Sequence, residues 1–282
     1  MSDHILSARG LTKVFVTRGD GAVFAGKSRF TAVDDVSFDV PRGKTLGIVG
    51  ESGSGKSTTA RMIAKLIEPT SGGLEFNGVE VGRASGAALA AFRANVQVVF
   101  QDPFSSLNPR HTVEKIISAP LRYQGIRPPQ GSRVLVRELM ERVGLNPDHA
   151  QRYPAQFSGG QAQRIGIARA LAVSPKLVIC DEAVSALDVS VQAKVINLLN
   201  ELQADLGLSY VFIAHDLAVV RQIADTVAVM SRGRIVEQGD RDAIFGAPQH
   251  AYTRTLLAAV PQINPEWERE RVRMLASEGA FE

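Results

Sequence analysis

Two glycine-rich stretches in this chain carry the residue types needed to hold phosphate. The first, Gly50-Glu51-Ser52-Gly53-Ser54-Gly55-Lys56-Ser57, follows the apolar run Leu46-Gly47-Ile48-Val49 and leads into a helical pattern. It matches G-x-x-x-x-G-K-[ST] in full, in the strand-then-helix setting that the motif requires. Its glycines let the backbone curl so that successive N–H groups face an anion. Lys56 reaches the β- and γ-phosphates, the Ser57 hydroxyl ligates Mg²⁺, and Thr58 completes the phosphate-binding set. The second stretch, Phe157-Ser158-Gly159-Gly160-Gln161, opens another helical pattern about a hundred residues later. A serine and two glycines at a helix start offer a hydroxyl and bare N–H groups to an anion. A chain that binds one triphosphate needs only one such grip, so the second requires an explanation.

Other groups fit the same chemistry. Leu177-Val178-Ile179-Cys180-Asp181-Glu182 is an apolar run ending in two carboxylates. Asp181 is the residue type that holds Mg²⁺ beside a phosphate loop. Glu182 then stands next to the γ-phosphate, where a carboxylate can orient and deprotonate an attacking water. Solvated acids commonly end strands, and it is the intact phosphate loop that favours the functional reading. His215 closes Tyr210-Val211-Phe212-Ile213-Ala214. A histidine at the carboxyl end of a parallel strand points into a ligand crevice and can donate to the γ-phosphate. A lone histidine is more often structural, and only its position after Asp181-Glu182 raises this one. Gln101 ends the run Val96–Phe100 and can ligate Mg²⁺ or the water, a weak signal by itself. Cys180 reads as a small core residue.

The elements that must position these groups follow from periodicity. Thr45–Val49, Val96–Phe100, Leu177–Cys180, Tyr210–Ala214 and Thr226–Met230 are short and rich in β-branched residues, as buried strands are. Helical stretches lie between them, including Ser57–Leu66, Gln161–Ala172 and Val191–Leu206. Strands alternating with helices predict an α/β fold with a parallel sheet covered on both faces. Ile5–Val16 and Thr31–Val40, separated by the polar stretch Thr17–Arg29, predict an N-terminal antiparallel β layer. From about Asp102 to Pro154 strands vanish and Thr112–Tyr123 and Ser132–Val143 read as helices, an inserted helical lobe. Beyond residue 246 there is one apolar helix candidate, Tyr252–Val260, and a charged tail.

Composition narrows the function classes. The 282 residues, 45% hydrophobic, suffice for one large domain or a domain with an inserted lobe. Thirty-two basic residues against 29 acidic ones give a net charge of +3, scattered rather than clustered, so no nucleic-acid stripe is expected. A single cysteine excludes an intrachain disulfide and a cysteine-built metal cluster. No apolar run approaches the roughly 20 residues that span a bilayer. Met1-Ser2-Asp3-His4 lacks the features of a signal peptide, so a soluble, cytoplasmic chain is expected.

Taken in order, Gly50–Ser57, Gln101, Phe157–Gln161, Leu177–Glu182, Ser185-Ala186-Leu187-Asp188 and His215 resemble the motifs of the nucleotide-binding subunit of an ABC transporter. The resemblance identifies them with the Walker A loop, Q-loop, signature, Walker B strand, D-loop and switch histidine. It covers nearly the whole chain and explains the second grip. In that family the signature closes over ATP held by the Walker A loop of another subunit, packed head to tail. It implies ATP and Mg²⁺, with Ser57, Gln101 and Asp181 at the metal, and an adenine base stacked on an aromatic residue of the first β layer. Phe15 matches that residue best and Phe30 next.

Further stretches resemble the oligopeptide/dipeptide permease ATPases: Gln101–Arg110, Ser185–Gln192, Leu206–Asp216 and His250-Ala251-Tyr252-Thr253-Arg254-Thr255-Leu256-Leu257. The long interval between Phe15 and Phe30 and the near absence of cysteine are similar to the F-type subunit. This resemblance implies an ABC ATPase domain over residues 1–246, a peptide-permease-type extension over 247–282, and an ATPase that energises import of a peptide or related solute. It further implies a second ATPase subunit, two integral membrane permease subunits, an external solute-binding protein, and a peripheral place on the cytoplasmic face of the cell membrane. The alternative is a soluble ABC ATPase acting on nucleic acid or within a metabolic enzyme complex. The chain departs from the family at Phe157 (usually leucine), Ala183 (usually proline) and Ala162 (commonly basic).

Overall fold

The computed structural model describes residues 3–18 and 27–259. Two long strands, β1 (His4–Arg18) and β2 (Lys27–Pro41), pair antiparallel and join β4 (Ser71–Phe76) and β5 (Val79–Glu80) in a sheet of order β2-β1-β4-β5. This is the antiparallel layer read from the sequence; residues 19–26 of the stretch Thr17–Arg29 lie outside the described residues. Between β2 and β4 the chain forms β3 (Thr45–Val49) and helix α1 (Lys56–Ile63). After β5 come α2 (Gly86–Asn95) and β6 (Val96–Val99).

The helical lobe follows as α3 (Pro103–Ser106), α4 (Val113–Tyr123) and α5 (Ser132–Arg142), with short 3₁₀ turns at Pro147–Gln151 and Pro154–Gln156. Thr112 caps α4 by accepting the N–H of Lys115, and Val113, Ile116, Ile117 and Leu121 form its buried stripe. On α5 the stripe is Val136, Leu139 and Met140, and Gly144 ends the helix region at φ +69. The chain then returns through α6 (Gly159–Leu171), β7 (Leu177–Asp181), α7 (Val189–Leu206), β8 (Ser209–Ile213), α8 (Leu217–Ile223), β9 (Thr226–Ser231) and β10 (Arg234–Asp240) to α9 (Arg241–Gly246) and α10 (Ala251–Ala258).

The second sheet has the order β10-β9-β3-β8-β7-β6, parallel throughout except for the edge strand β10. Its apolar runs split by parity, as the period of two in a strand demands. Leu46, Ile48, Leu177, Ile179, Val211, Ile213, Ala228 and Met230 join the antiparallel layer and α1 in one core. Val178, Cys180, Tyr210, Phe212, Val227 and Val229 join α6, α7, α8 and the helical lobe in another. Both faces being covered explains why these strands read as unbroken apolar runs. Cys180 is fully buried, and burial pushes its thiol up to about 12, in keeping with a core role.

The structure adds elements that the sequence pattern did not show. Glycines 72 and 73 mask β4, β5 has two residues, α2 buries only Phe92, and β10 mixes polar and apolar positions at the sheet edge. Strand β6 stops one residue before Phe100, which is partly exposed. Helix α10 covers the described part of the predicted Tyr252–Val260 helix; Val260 and the tail lie outside the described residues. No described helix is long and apolar enough to cross a membrane.

Gly47 sets the packing of β3 against α8. A Cβ there would lie 2.5 Å from Val220 Cγ1 and 3.0 Å from Ala224 Cβ. Gly47→Ala is therefore expected to destabilise the chain by about 1–3 kcal/mol through overpacking. Urea denaturation without nucleotide measures this, and an unchanged midpoint would contradict the packing account.

Candidate nucleotide site

The carboxyl ends of β3, β8, β7 and β6 are spatial neighbours, and the segments leaving them carry the candidate groups. Gly50–Ser57 follows β3, His215 follows β8, Asp181 and Glu182 end β7, and Gln101 follows β6. In open α/β sheets this is the edge at which ligands bind. Ser57 Oγ donates to Asp181 Oδ1 at 2.8 Å, across 124 positions of sequence. Lys56 is buried, and its Nζ donates to the carbonyls of Gly50 (2.7 Å) and Glu51 (2.8 Å). Gly50 has φ +148, and a Cβ there would sit 2.1 Å from the Met230 carbonyl oxygen, so no other residue fits this corner. The turn between β9 and β10 braces the loop, with Gly233 N–H donating to the Ser54 carbonyl at 3.0 Å.

Charge in the crevice is finely opposed. Burial pulls the Lys56 ammonium below its ordinary value, against the carboxylates of Glu182, Asp181 and Glu51. Burial pushes the Asp181 carboxyl up, against the Ser57 hydrogen bond and the cations Arg61 and Lys56. A ligand bringing further anionic oxygen to Lys56 and a further cation to Asp181 would favour both ionisations.

Glu182 adopts φ +51, the left-handed region that costs a residue with a Cβ about 1–3 kcal/mol. Its N–H donates to Ile213 O at 3.0 Å, and its carbonyl accepts from Ser185 N (3.1 Å) and Ser185 Oγ (2.9 Å). The backbone is thus pinned on both sides while the side chain stays partly exposed. His215 and Gln101 are both exposed at the crevice rim. Asp102, directly after Gln101, caps α3 by accepting from Phe104 N (2.9 Å) and Ser105 N (3.2 Å).

The second grip is built differently. Ser158 caps α6: its Oγ accepts from Gln161 N at 3.3 Å, while Gln161 Oε1 accepts from Ser158 N at 3.0 Å. Ser158 and Gln161 are exposed, and Gly160 packs so tightly that a Cβ would meet Val191 Cγ1 at 2.4 Å. Gly159 also lies by Leu187, less tightly: a Cβ there would be in ordinary contact with Leu187 Cδ2 at 3.7 Å. The segment Ser185–Asp188 therefore abuts the start of α6 within one chain. Asp188 caps α7 through Val191 N (2.9 Å), and Gln192 Nε2 donates to the Leu187 carbonyl (3.0 Å). Among the described residues, no hydrogen bond joins 158–161 to the phosphate loop.

Phe15 and Phe30 face each other across β1 and β2 and are 39% and 59% exposed. Lys13 Nζ lies 5.4 Å from the Phe15 centroid. The carbonyl of Ala32, two residues along β2 from Phe30, would be 2.6 Å from a Cβ at Gly55, which brings this strand beside the phosphate loop.

Sequence reading missed two connections from α6 to the segment around Gln101. Buried Gln163 donates from Nε2 to Phe100 O at 3.5 Å, and Arg169 Nη1 donates to Ser106 O at 2.5 Å. Their only signal was polarity inside an otherwise apolar helix face. Tyr252 was also missed: its hydroxyl accepts the N–H of Glu51 at 3.0 Å.

Residues 33–185 match the family described as ABC transporter, and residues 236–280 match the oligopeptide/dipeptide transporter C-terminal region. The chain is 50% identical over 275 residues to the oligopeptide transport ATP-binding protein OppF of Bacillus subtilis, covering 97% of this chain and 88% of that protein. It is 51% identical over 276 residues to the glutathione import ATP-binding protein GsiA of Escherichia coli, covering 98% of this chain but only 44% of GsiA. A dimeric, post-hydrolysis ATP-binding cassette bound to ADP and Pi superposes with a TM-score of 0.73 at 27% identity, over 84% of this chain and 98% of that one. The cbiO1 subunit from Clostridium perfringens, part of the ABC transporter complex cbiONQ, gives 0.75 at 26% identity, over 95% and 100% of the chains. With the motifs in order and the fold shared, the chain belongs to the ABC transporter family, as an ATP-binding subunit.

Proposed function

We propose that this chain hydrolyses ATP to drive an importer for peptides or a related small solute, as one half of a head-to-tail dimer. The observation that carries the reading is the meeting of Lys56, Ser57, Asp181 and Glu182 at one crevice, in a chain that matches OppF along 97% of its length. The match of residues 236–280 favours import over a soluble ATPase acting on nucleic acid or in a metabolic complex. On this reading residues 1–246 are the ATPase domain and 247–282 the permease-type extension.

The curled backbone of residues 50–58 and Lys56 hold the β- and γ-phosphates, with Phe15 stacked on the adenine. Glu182 takes a proton from a water whose oxygen attacks the γ-phosphorus, and ADP leaves with the electron pair of the broken P–O bond. His215 donates to the γ-phosphate and Gln101 orients the water. A hydroxyl and a carboxylate 2.8 Å apart are hard oxygen donors of the kind that bind Mg²⁺ together with phosphates. Ser57 and Asp181 would therefore hold the ion, with Gln101 at its rim. It would neutralise charge on the β- and γ-oxygens.

Ser158–Gln161 grips the γ-phosphate bound to the partner, and Ser185–Asp188 crosses beside it. The exposed side chains of Leu66, Phe100 and Tyr123 line a cleft of about 320 Å³ between the lobe and the sheet. Apolar groups gathered in this way fit a protein surface, and a membrane permease, one of two in the importer, is the partner proposed there. A solute-binding protein outside the membrane would complete the importer, with this chain peripheral on the cytoplasmic face.

Glu182→Gln is expected to leave ATP binding intact and lower turnover by about 10²–10⁴-fold, trapping a closed dimer. Phosphate release and size-exclusion chromatography with ATP read both effects, and normal turnover would remove Glu182 from the role of base. Ser158→Arg should spare nucleotide binding in the single chain yet prevent ATP-driven dimerisation. A variant that still dimerises and turns over normally would overturn the proposed role of the second grip.

A further inference from the structure

The sharpest unassigned contact joins the C-terminal helix to the phosphate loop. Tyr252, on α10, accepts the backbone N–H of Glu51 at 3.0 Å, across 201 positions of sequence. Glu51 is the first residue after the Gly50 corner, and its carbonyl already accepts from Lys56 Nζ (2.8 Å) and Ser54 N (3.2 Å). Tyr252 therefore completes the backbone hydrogen bonding of Glu51, and does so from outside the ATPase motifs. We propose that Tyr252 is a positioning residue that holds the phosphate loop in its nucleotide-binding shape, making the C-terminal extension part of the ATP site.

The helix is anchored firmly enough for this task. The Glu237 carboxylate on β10 accepts from Gln249 N (2.7 Å) and His250 N (3.0 Å), fixing the start of α10. His250 Nδ1 accepts from Tyr252 N at 3.1 Å, and Thr253 is buried behind it. Tyr252, Leu256 and Leu257 pack against the main core. The ring thus has an apolar body held by packing and a polar tip on the loop. It also walls a cavity of about 470 Å³ bounded by the outer edge of the loop, Ser231 and Arg232. The loop works by keeping its N–H groups convergent, so slack at Glu51 spreads to the phosphate-facing groups that follow. Glu182 and His215 hang from other strands and keep their places. The effect belongs to nucleotide binding, and the chemical step is left alone.

The inference rests on the nucleotide reading of the Gly50–Ser57 loop, and the test separates the two. ATP affinity, KM and kcat are measured on the full chain with Mg²⁺, and thermal unfolding is measured without nucleotide. The variants are Tyr252→Phe, which keeps the ring and removes the hydroxyl, and Leu256→Ala, which loosens α10 but keeps the hydroxyl. Tyr252→Phe should weaken ATP binding about five-fold, the loss of one hydrogen bond. KM should rise in step while kcat and the unfolding temperature hold. Leu256→Ala should lower the unfolding temperature with a smaller change in affinity. Unchanged ATP affinity in Tyr252→Phe, a loss in kcat in place of KM, or an equal affinity loss in Leu256→Ala would each overturn the role given to Tyr252. Lys56→Ala binding ATP as tightly as the unaltered chain would instead overturn the nucleotide reading itself.

Discussion

A strand covered on both faces can present chemistry only where it ends, and most of this molecule follows from that constraint. The parallel strands β3, β7 and β8 are buried along their length, with residues facing two separate cores, while their neighbour β6 at the sheet edge is buried at Val96 and Val99 and half-buried at Gln97 and Val98. Their common direction puts all four carboxyl ends at one edge. Groups scattered over more than 160 positions, from Gly50 to His215, become neighbours there. Packing on the two faces and function at the edge are therefore decoupled. The departure Ala183, buried beside Glu182, sits at the seam between them without removing a polar group.

The second grip stands apart from that edge, at the start of α6. In its first turn Ser158 and Gln161 are exposed and hydrogen-bonded to each other, while its body is tied to the segment after β6 through Gln163 and Arg169. Gly160 lies against Val191 on α7 with no room for a side chain, and Gly159 lies near Leu187, so the start of α6 packs on the Ser185–Asp188 segment and the helix that follows it. Three stretches distant in sequence are thus joined through α6, by packing on one side and by hydrogen bonds to Phe100 and Ser106, which flank Gln101, on the other.

The elements legible in sequence were those whose physics is local. Doubly buried strands wrote unbroken apolar runs, and the phosphate loop wrote its glycines because Gly50 has no space for a Cβ. Strand β4 was hidden by Gly72 and Gly73, and β10 by its half-exposed edge position. Gln163, Arg169 and Tyr252 were illegible for another reason. Each meets a backbone atom 63 or more positions away, and backbone atoms carry no residue identity to read. The pairing of Phe15 with Phe30 likewise depends on the register of β1 with β2.

The reciprocal bonds between Ser158 and Gln161 bear on how firmly two copies can adhere. In the single chain the Ser158 N–H is already satisfied by the Gln161 amide oxygen. On the dimer reading proposed above, an arriving phosphate would displace that oxygen, so closure would exchange one acceptor for another. The net gain is the difference between the two bonds, far less than a bare donor would provide. A joint made by such an exchange would come apart readily once the phosphate is cleaved, and reversibility is what a repeating cycle requires.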